Sequence, residues 1–141
     1  MPADISSDNE AIRKHLRSAQ NIAVVGLSNN PAKASYGVAR YLQHAGYRII
    51  PVNPSLTEPV LGEKPYARLQ DIPADIRIDI IDVFRRSVDM PPVAVAAKER
   101  PAPLFWMQLG IENPDVAQDL ADHGFDVIQD RCIKIEHAAL L

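Results

Sequence analysis

Ser28, Lys33 and Ser35 fall within eight residues, directly after an apolar run, Ile22 to Val25, that Gly26 closes. Two hydroxyls and an ammonium group at that spacing suit a phosphate. A strand that passes through a small-residue turn into a helix offers backbone N–H groups and the positive end of the helix dipole to an anion. Pro31 stiffens the turn at its middle. Each residue also has a plainer use: Ser35 as a helix cap, Lys33 as a solvated surface charge. Farther on, Phe84-Arg85-Arg86 sets an aromatic ring and two guanidinium groups after another apolar run. A ring there can wall a base or a narrow channel, and arginine pairs with phosphate through two parallel hydrogen bonds. The alternative is Phe84 in the core with both arginines in solvent. Asn53, followed by Pro54, can hydrogen-bond a ribose or a base, or can organise a turn.

Catalytic groups are sparse. His15 and His44 lie in helical patterns and are expected to face solvent. His123 precedes a helix-ending Gly124 and can satisfy the helix C-terminus. Glu136 and His137 are sequence neighbours, so on a helix they diverge by about 100° and form no dyad. Cys132 has Arg131 and Lys134 nearby, which favours a thiolate, yet a buried inert cysteine is the simpler reading. The histidines and the single cysteine lack zinc-ligand spacing, and no G-x-S-x-G elbow is present.

The elements that must position these residues alternate along the chain. Ser7 and Glu10 have capping-box spacing for a first helix to about Gln20, with Ile12 and Leu16 on one face and Pro2 to Ser6 as a loose end. Strands are expected at Ile22–Val25, Tyr47–Val52, Ile78–Phe84, Leu104–Met107 and Phe125–Ile128. Helices are expected from Ser35 to about Ala45, from Ser87 (with a true start between Asp89 and Val93 because of Pro91 and Pro92) to Lys98, and from Asn113 to the stop at Gly124. A short turn at Ala67–Asp71 and a tail helix after Arg131 complete the pattern. Five strands alternating with helices give an α/β doubly wound parallel sheet, whose ligands bind beyond the carboxyl ends of the strands. The first twenty residues read as a helix packed on a domain formed by residues 21–141.

The 141 residues fit one domain able to bury roughly 70 % of its unfolded surface. A net charge of -3 argues against a chain built to hold nucleic acid. No apolar stretch is long enough to span a membrane, the first ten residues lack signal-peptide character, and one cysteine allows no internal disulfide; a cytoplasmic protein is expected. An NAD enzyme would show G-x-G-x-x-G after the first strand and an acidic residue after the second. Here Gly26 stands alone and the second strand ends Val52-Asn53-Pro54, two departures that weigh against an NAD(P)-binding protein.

The blocks VVGLSNNPAKASYGVARYLQHAGYRIIPVNP, DIIDVFRRS, WMQLGIEN and DRCIKIEH resemble those of the small stand-alone CoA-binding proteins, whose domain is similar to the CoA-binding domain of the succinyl-CoA synthetase α subunit. The resemblance extends from about Ile22 to His137 and implies a Rossmann-like domain holding coenzyme A without an established reaction. It implies that Gly26, Leu27, Ser28, Lys33, Ser35 and Tyr36 hold the phosphate-bearing part of CoA. Asn53 and Pro54 would lie beside the nucleotide, and Val83, Phe84 and Arg85 would line the channel. The lack of an acid at Asn53 agrees, because CoA carries a 3′-phosphate that a carboxylate would repel. Ala97 to Pro103 departs from the family pattern, which has a smoother helix-to-strand passage with a glycine. A small enzyme acting on a nucleotide or acyl-CoA through Cys132 or His137 is the alternative. A CoA-dependent enzyme as partner and a homodimer are further expectations, the second on base rate alone.

Overall fold

The computed structural model describes residues 1–141. The elements in order are α1 (Asn9–Ser18), β1 (Asn21–Val25), α2 (Ala34–His44), β2 (Arg48–Val52), β3 (Ile80–Val83), α3 (Met90–Glu99), β4 (Leu104–Met107), α4 (Pro114–Asp122), β5 (Asp126–Ile128) and α5 (Ile133–Leu140). Short 3₁₀ turns stand at Leu69–Asp71 and Ser87–Asp89. All five strands are parallel in the order β2-β1-β3-β4-β5. The fold is the expected α/β Rossmann-like sheet, and its direction of winding reverses between β1 and β3.

Strict alternation along each strand divides the core. Ala23, Val25, Ile81, Val83, Phe105 and Met107 face one side with α3 and α4, which contribute Met90, Ala94, Ala97, Val116 and Leu120. Ile22, Val24, Ile80, Leu104 and Trp106 face the other, covered by Ile12 and Leu16 of α1, Val38 and Leu42 of α2, and Ile133 of α5. Strands buried on both faces read as continuous apolar runs, which is why the sequence shows them so clearly.

Several local expectations are corrected. Asp8, not Ser7, caps α1: its carboxylate accepts the Ala11 N–H at 3.1 Å. Pro2 to Ser6 is no loose end, because Asp4 lies in a parallel bridge with Val127, the Ile5 N–H donates to the Val127 carbonyl (2.8 Å), and the Val127 N–H donates to Ala3 (3.0 Å). His15 is turned inward, 2.7 Å from the Asp126 carboxylate, and ties α1 to the start of β5. Ser87 caps nothing; α3 starts at Met90, and the Ser87 hydroxyl accepts the Glu112 N–H at 3.0 Å. At the departure after Ala97, α3 ends without a glycine. Arg100 folds over instead and donates to the carbonyls of Ile72 (3.3 Å) and Pro73 (2.8 Å).

Candidate functional site

Gly26 is where β1 leaves the sheet. Its φ of +86° suits glycine, and a Cβ there would lie 2.7 Å from the carbonyl oxygen of Phe84, the residue following β3. The strand ends are knitted by backbone bonds, Gly26 N–H to Val52 (2.8 Å) and Phe84 N–H to Val25 (2.8 Å). The carboxyl ends of β1, β2 and β3 therefore meet at the point where the winding reverses, the position at which open parallel sheets form a binding crevice.

The loop after Gly26 organises itself. The Ser28 N–H donates to the Ser35 hydroxyl (3.0 Å), the Ser28 hydroxyl accepts from Asn30 (3.0 Å), and the Asn30 side chain accepts from Ala32 (2.9 Å). Ser35 thus does not cap α2; it lies in the first turn, buried, with its oxygen turned back to the loop. The N-cap is Lys33, whose side chain makes no capping bond, and the first turn holds no acidic residue. The Ala34, Ser35 and Tyr36 N–H groups precede the first intrahelical bond, made by Gly37 to Lys33 (3.3 Å). This end of the helix is open to an anion.

Asn53 and Arg85 join the remaining ends. The Asn53 amide donates to the Leu27 carbonyl (3.1 Å) and accepts the Ser55 N–H (3.0 Å). Arg85 lays its stem across Gly26, with Cδ 3.5 Å from where a Cβ would stand, and brings its guanidinium to 3.5 Å from the Asn53 oxygen. Arg86 pairs with Asp89 at 2.9 Å, whereas half-buried Arg85 has no carboxylate in ion-pair range. Val83, expected along the channel, and Leu27, expected in the phosphate loop, turn their side chains to the core. Val83 is fully buried on the α3/α4 side and Leu27 on the α1/α2/α5 side, so both offer backbone rather than side chain to the strand ends. Phe84 and Tyr36 are partly buried against the cluster that holds Leu27.

Behind Arg85 a cavity of about 270 Å³ opens over the ends of β1 and β2. Val25, Val52, Pro54, Leu69, Pro92 and Val93 supply apolar walls, and Arg68, Gln70 and Arg85 supply polar groups. Sequence reasoning missed the Arg68–Gln70 wall and the contribution of α3. The wall is placed by tertiary pairing: Tyr66 runs parallel to Val52, its N–H donating to Pro51 and its carbonyl accepting from Asn53 (both 2.9 Å). The Gln70 Nε2 donates to Glu99 at 2.7 Å, while its enclosed Oε1 has no donor. A buried acceptor left so costs about 1–3 kcal/mol. A larger cleft of about 450 Å³, lined by His15, Ser18, Gln20, Asn21, Arg77 and Asp79, lies at the amino ends of the strands. Its polar groups already satisfy one another: Asp79 accepts the Gln20 and Asn21 N–H groups at 2.9 Å and pairs with Arg77 at 2.8 Å.

Asp82 is the one charged side chain placed wholly inside the core. It stands in β3 between Val24 and Trp106, accepts a short bond from the Gln108 amide through Oδ1, and leaves Oδ2 without a partner. Desolvation lifts its pKa to about 8, against the lowering effect of Gln108. Cys132 is half-buried at the start of α5, past the end of β5. His137 lies far from the crevice, beside Gly46 and Tyr47 where β2 begins. Its Nδ1 is 2.9 Å from the Tyr41 hydroxyl, two tyrosine rings meet its ring edge-on, and burial lowers its pKa. No cluster of histidine, cysteine and carboxylate groups could hold a metal ion, and no helix is long and apolar enough to cross a membrane.

The arrangement suits a ligand with a flat ring system and anionic groups. The chain is similar to several known proteins. Protein YneT of Bacillus subtilis, itself uncharacterised, is 46% identical over 127 residues, covering 90% of this chain and 92% of that protein. A solved Thermus thermophilus protein superimposes with a TM-score of 0.91 at 34% identity, covering 95% of this chain and 99% of that one. The α subunit of an ADP-forming acetate–CoA ligase of Pyrococcus furiosus is 37% identical over 70 residues, which is 49% of this chain and only 15% of the subunit. The family model described as a CoA binding domain matches residues 20–138, and the chain therefore belongs to the CoA-binding domain family.

Proposed function

We propose that this chain binds coenzyme A, or an acyl-CoA, at the carboxyl ends of β1, β2 and β3 and acts as a binding module rather than an enzyme. The observation that carries the reading is the conjunction at one crevice of the uncapped α2 N-terminus, the carboxylate-free guanidinium of Arg85 and an apolar cavity. CoA asks for each: the diphosphate for the helix end with Lys33 and Arg85, the adenine for the cavity. Gly26 and Ser28 admit the diphosphate by keeping the loop backbone close, and Asn53 and Pro54 border the nucleotide. The exposed face of the Phe84–Arg85 segment leads the pantetheine arm outward. The second strand ends at Asn53, so no carboxylate opposes a ribose phosphate. Against chemistry at His137 stands its placement, at the opposite end of the sheet from the loop. A cytoplasmic setting and a CoA-dependent enzyme or a second copy as partner complete the proposal.

Isothermal calorimetry with purified protein tests it. Saturable CoA binding is expected, weakened about tenfold or more by Arg85→Ala and several-fold by Lys33→Ala, consistent with charge-assisted hydrogen bonds. Silence at millimolar CoA together with binding of NAD would overturn the reading.

A further inference from the structure

The cavity has two arginines, and they come from different segments of the chain. Arg85 follows β3, next to the Gly26 loop, while Arg68 belongs to the segment that Tyr66 pins along the outer side of β2. Arg85 reaches across Gly26 until its guanidinium lies 3.5 Å from the Asn53 oxygen, so the cavity over the ends of β1 and β2 is lined by arginines from two separate segments. At about 270 Å³ the cavity falls below the ~300–1,000 Å³ of sites that enclose a whole drug-sized ligand, and it suits a single flat ring system with the remainder outside. Gln70 lies in its wall, with its amide nitrogen held by Glu99. Adenine is a ring system of that size.

A ring so placed sets its ribose at a cavity mouth with two arginines, one more than a diphosphate at the α2 end requires. We infer that Arg68 reads a second phosphate, on the ribose, so that the cavity selects a 3′-phosphorylated adenosine over a plain one. This rests on CoA being the ligand, and it assigns the discrimination to a residue outside the loop that binds the diphosphate. In the free protein Arg68 is occupied by Asp71, its Nη2 lying 2.9 Å from the carboxylate, and the pair lies at the surface. Such a pair is weak, and a doubly charged phosphate can displace it.

The test is calorimetry with CoA and with 3′-dephospho-CoA on the wild type, Arg68→Ala and Asp71→Asn. The wild type is expected to bind dephospho-CoA about ten- to thirtyfold more weakly than CoA. Arg68→Ala should bring CoA down to near that level while leaving dephospho-CoA within twofold of its wild-type affinity. Asp71→Asn, which frees Arg68 and keeps its charge, should preserve or widen the gap. Equal binding of both ligands by the wild type overturns the inference and leaves CoA binding standing, as does an equal loss for both ligands in Arg68→Ala or a collapsed gap in Asp71→Asn. Failure of both ligands to bind the wild type overturns the underlying reading as well.

Discussion

Replacing Asp82 by asparagine should stabilise this protein, and the gain should grow with pH. The carboxyl is sealed between Val24 and Trp106 with one oxygen partnered by Gln108 and the other by nothing. Unfolded, it loses its proton near 3.8; folded, it keeps that proton to about 8. Between those values the native state binds more protons than the unfolded one, so the stability contributed by Asp82 is whole below pH 4 and is lost as pH rises toward 8. Each pH unit in that window is worth about 1.4 kcal/mol, which sets a ceiling of about 4 kcal/mol at pH 7. Relaxation of the site lowers this, and about 2–4 kcal/mol is expected, a large share of the ~5–15 kcal/mol that holds a domain together. Asparagine keeps the oxygen that Gln108 needs and cannot ionise. The measurement is urea unfolding of wild type and Asp82→Asn at pH 5 and pH 8, with a difference of about 1–2 kcal/mol at the lower pH and markedly more at the higher. In melting temperature the neutral-pH gain is about 6–15 °C at this chain length. A difference that stays flat from pH 5 to pH 8, or an asparagine variant less stable than wild type at pH 8, would refute the reasoning.

Gly26→Ala should lose about 2–4 kcal/mol, because the new methyl meets the Phe84 carbonyl and the backbone is held at positive φ; thermal melting reads the loss, and calorimetry should show CoA binding reduced well beyond that of Lys33→Ala. His137 acts on the acid side. Burial holds its folded pKa below the ordinary 6.5, so its neutral form is favoured on folding and stability should decline as pH falls below that value. Denaturant unfolding between pH 7.5 and pH 5 should show the decline, and His137→Gln, which retains an acceptor for the Tyr41 hydroxyl, should flatten it; an unchanged slope in that variant would exclude His137 as the source.

The strands and most helices are legible because periodicity and capping are local. Continuous apolar runs mark β1 and β4, and Asn113-Pro114-Asp115 announces α4 with the cap found, the Asn113 side chain accepting the Val116 N–H. Site positions after the strands are legible for a related reason, since a parallel sheet gathers the carboxyl ends of its strands at one edge. Side-chain direction is harder to read. Val83 and Leu27 sit at strand ends yet face the core, on opposite sides, because the direction depends on the pleat at residues that look alike in sequence. What stayed hidden is long-range pairing. Asp126 lies 111 residues from His15, and the bond from Gln108 to Asp82 links two polar residues embedded in apolar runs. The Arg68–Gln70 wall has no periodic signal of its own. Ser7 and Asp8 are both competent caps, and only the backbone path decides between them.

The pairing of Ala3–Ile5 with Val127 and of Tyr66 with Pro51 and Asn53 has a bearing on behaviour in concentrated solution. The sheet ends in β5 on one side and β2 on the other, and an uncovered outermost strand offers its free N–H and C=O groups to any extended chain, including another copy. Here the N-terminal arm occupies the outer side of β5 and the Tyr66 segment that of β2, so neither border is a ready template for intermolecular strand addition. The two guards differ in strength. The Tyr66 segment is anchored by the buried Val60, Leu69 and Ile72 nearby, whereas the arm is held chiefly by Ile5 and a few polar bonds from Asp4 and Ser6. Self-association of this fold should therefore begin at β5, by exchange of the arm for a neighbour's chain, and not at the ligand crevice.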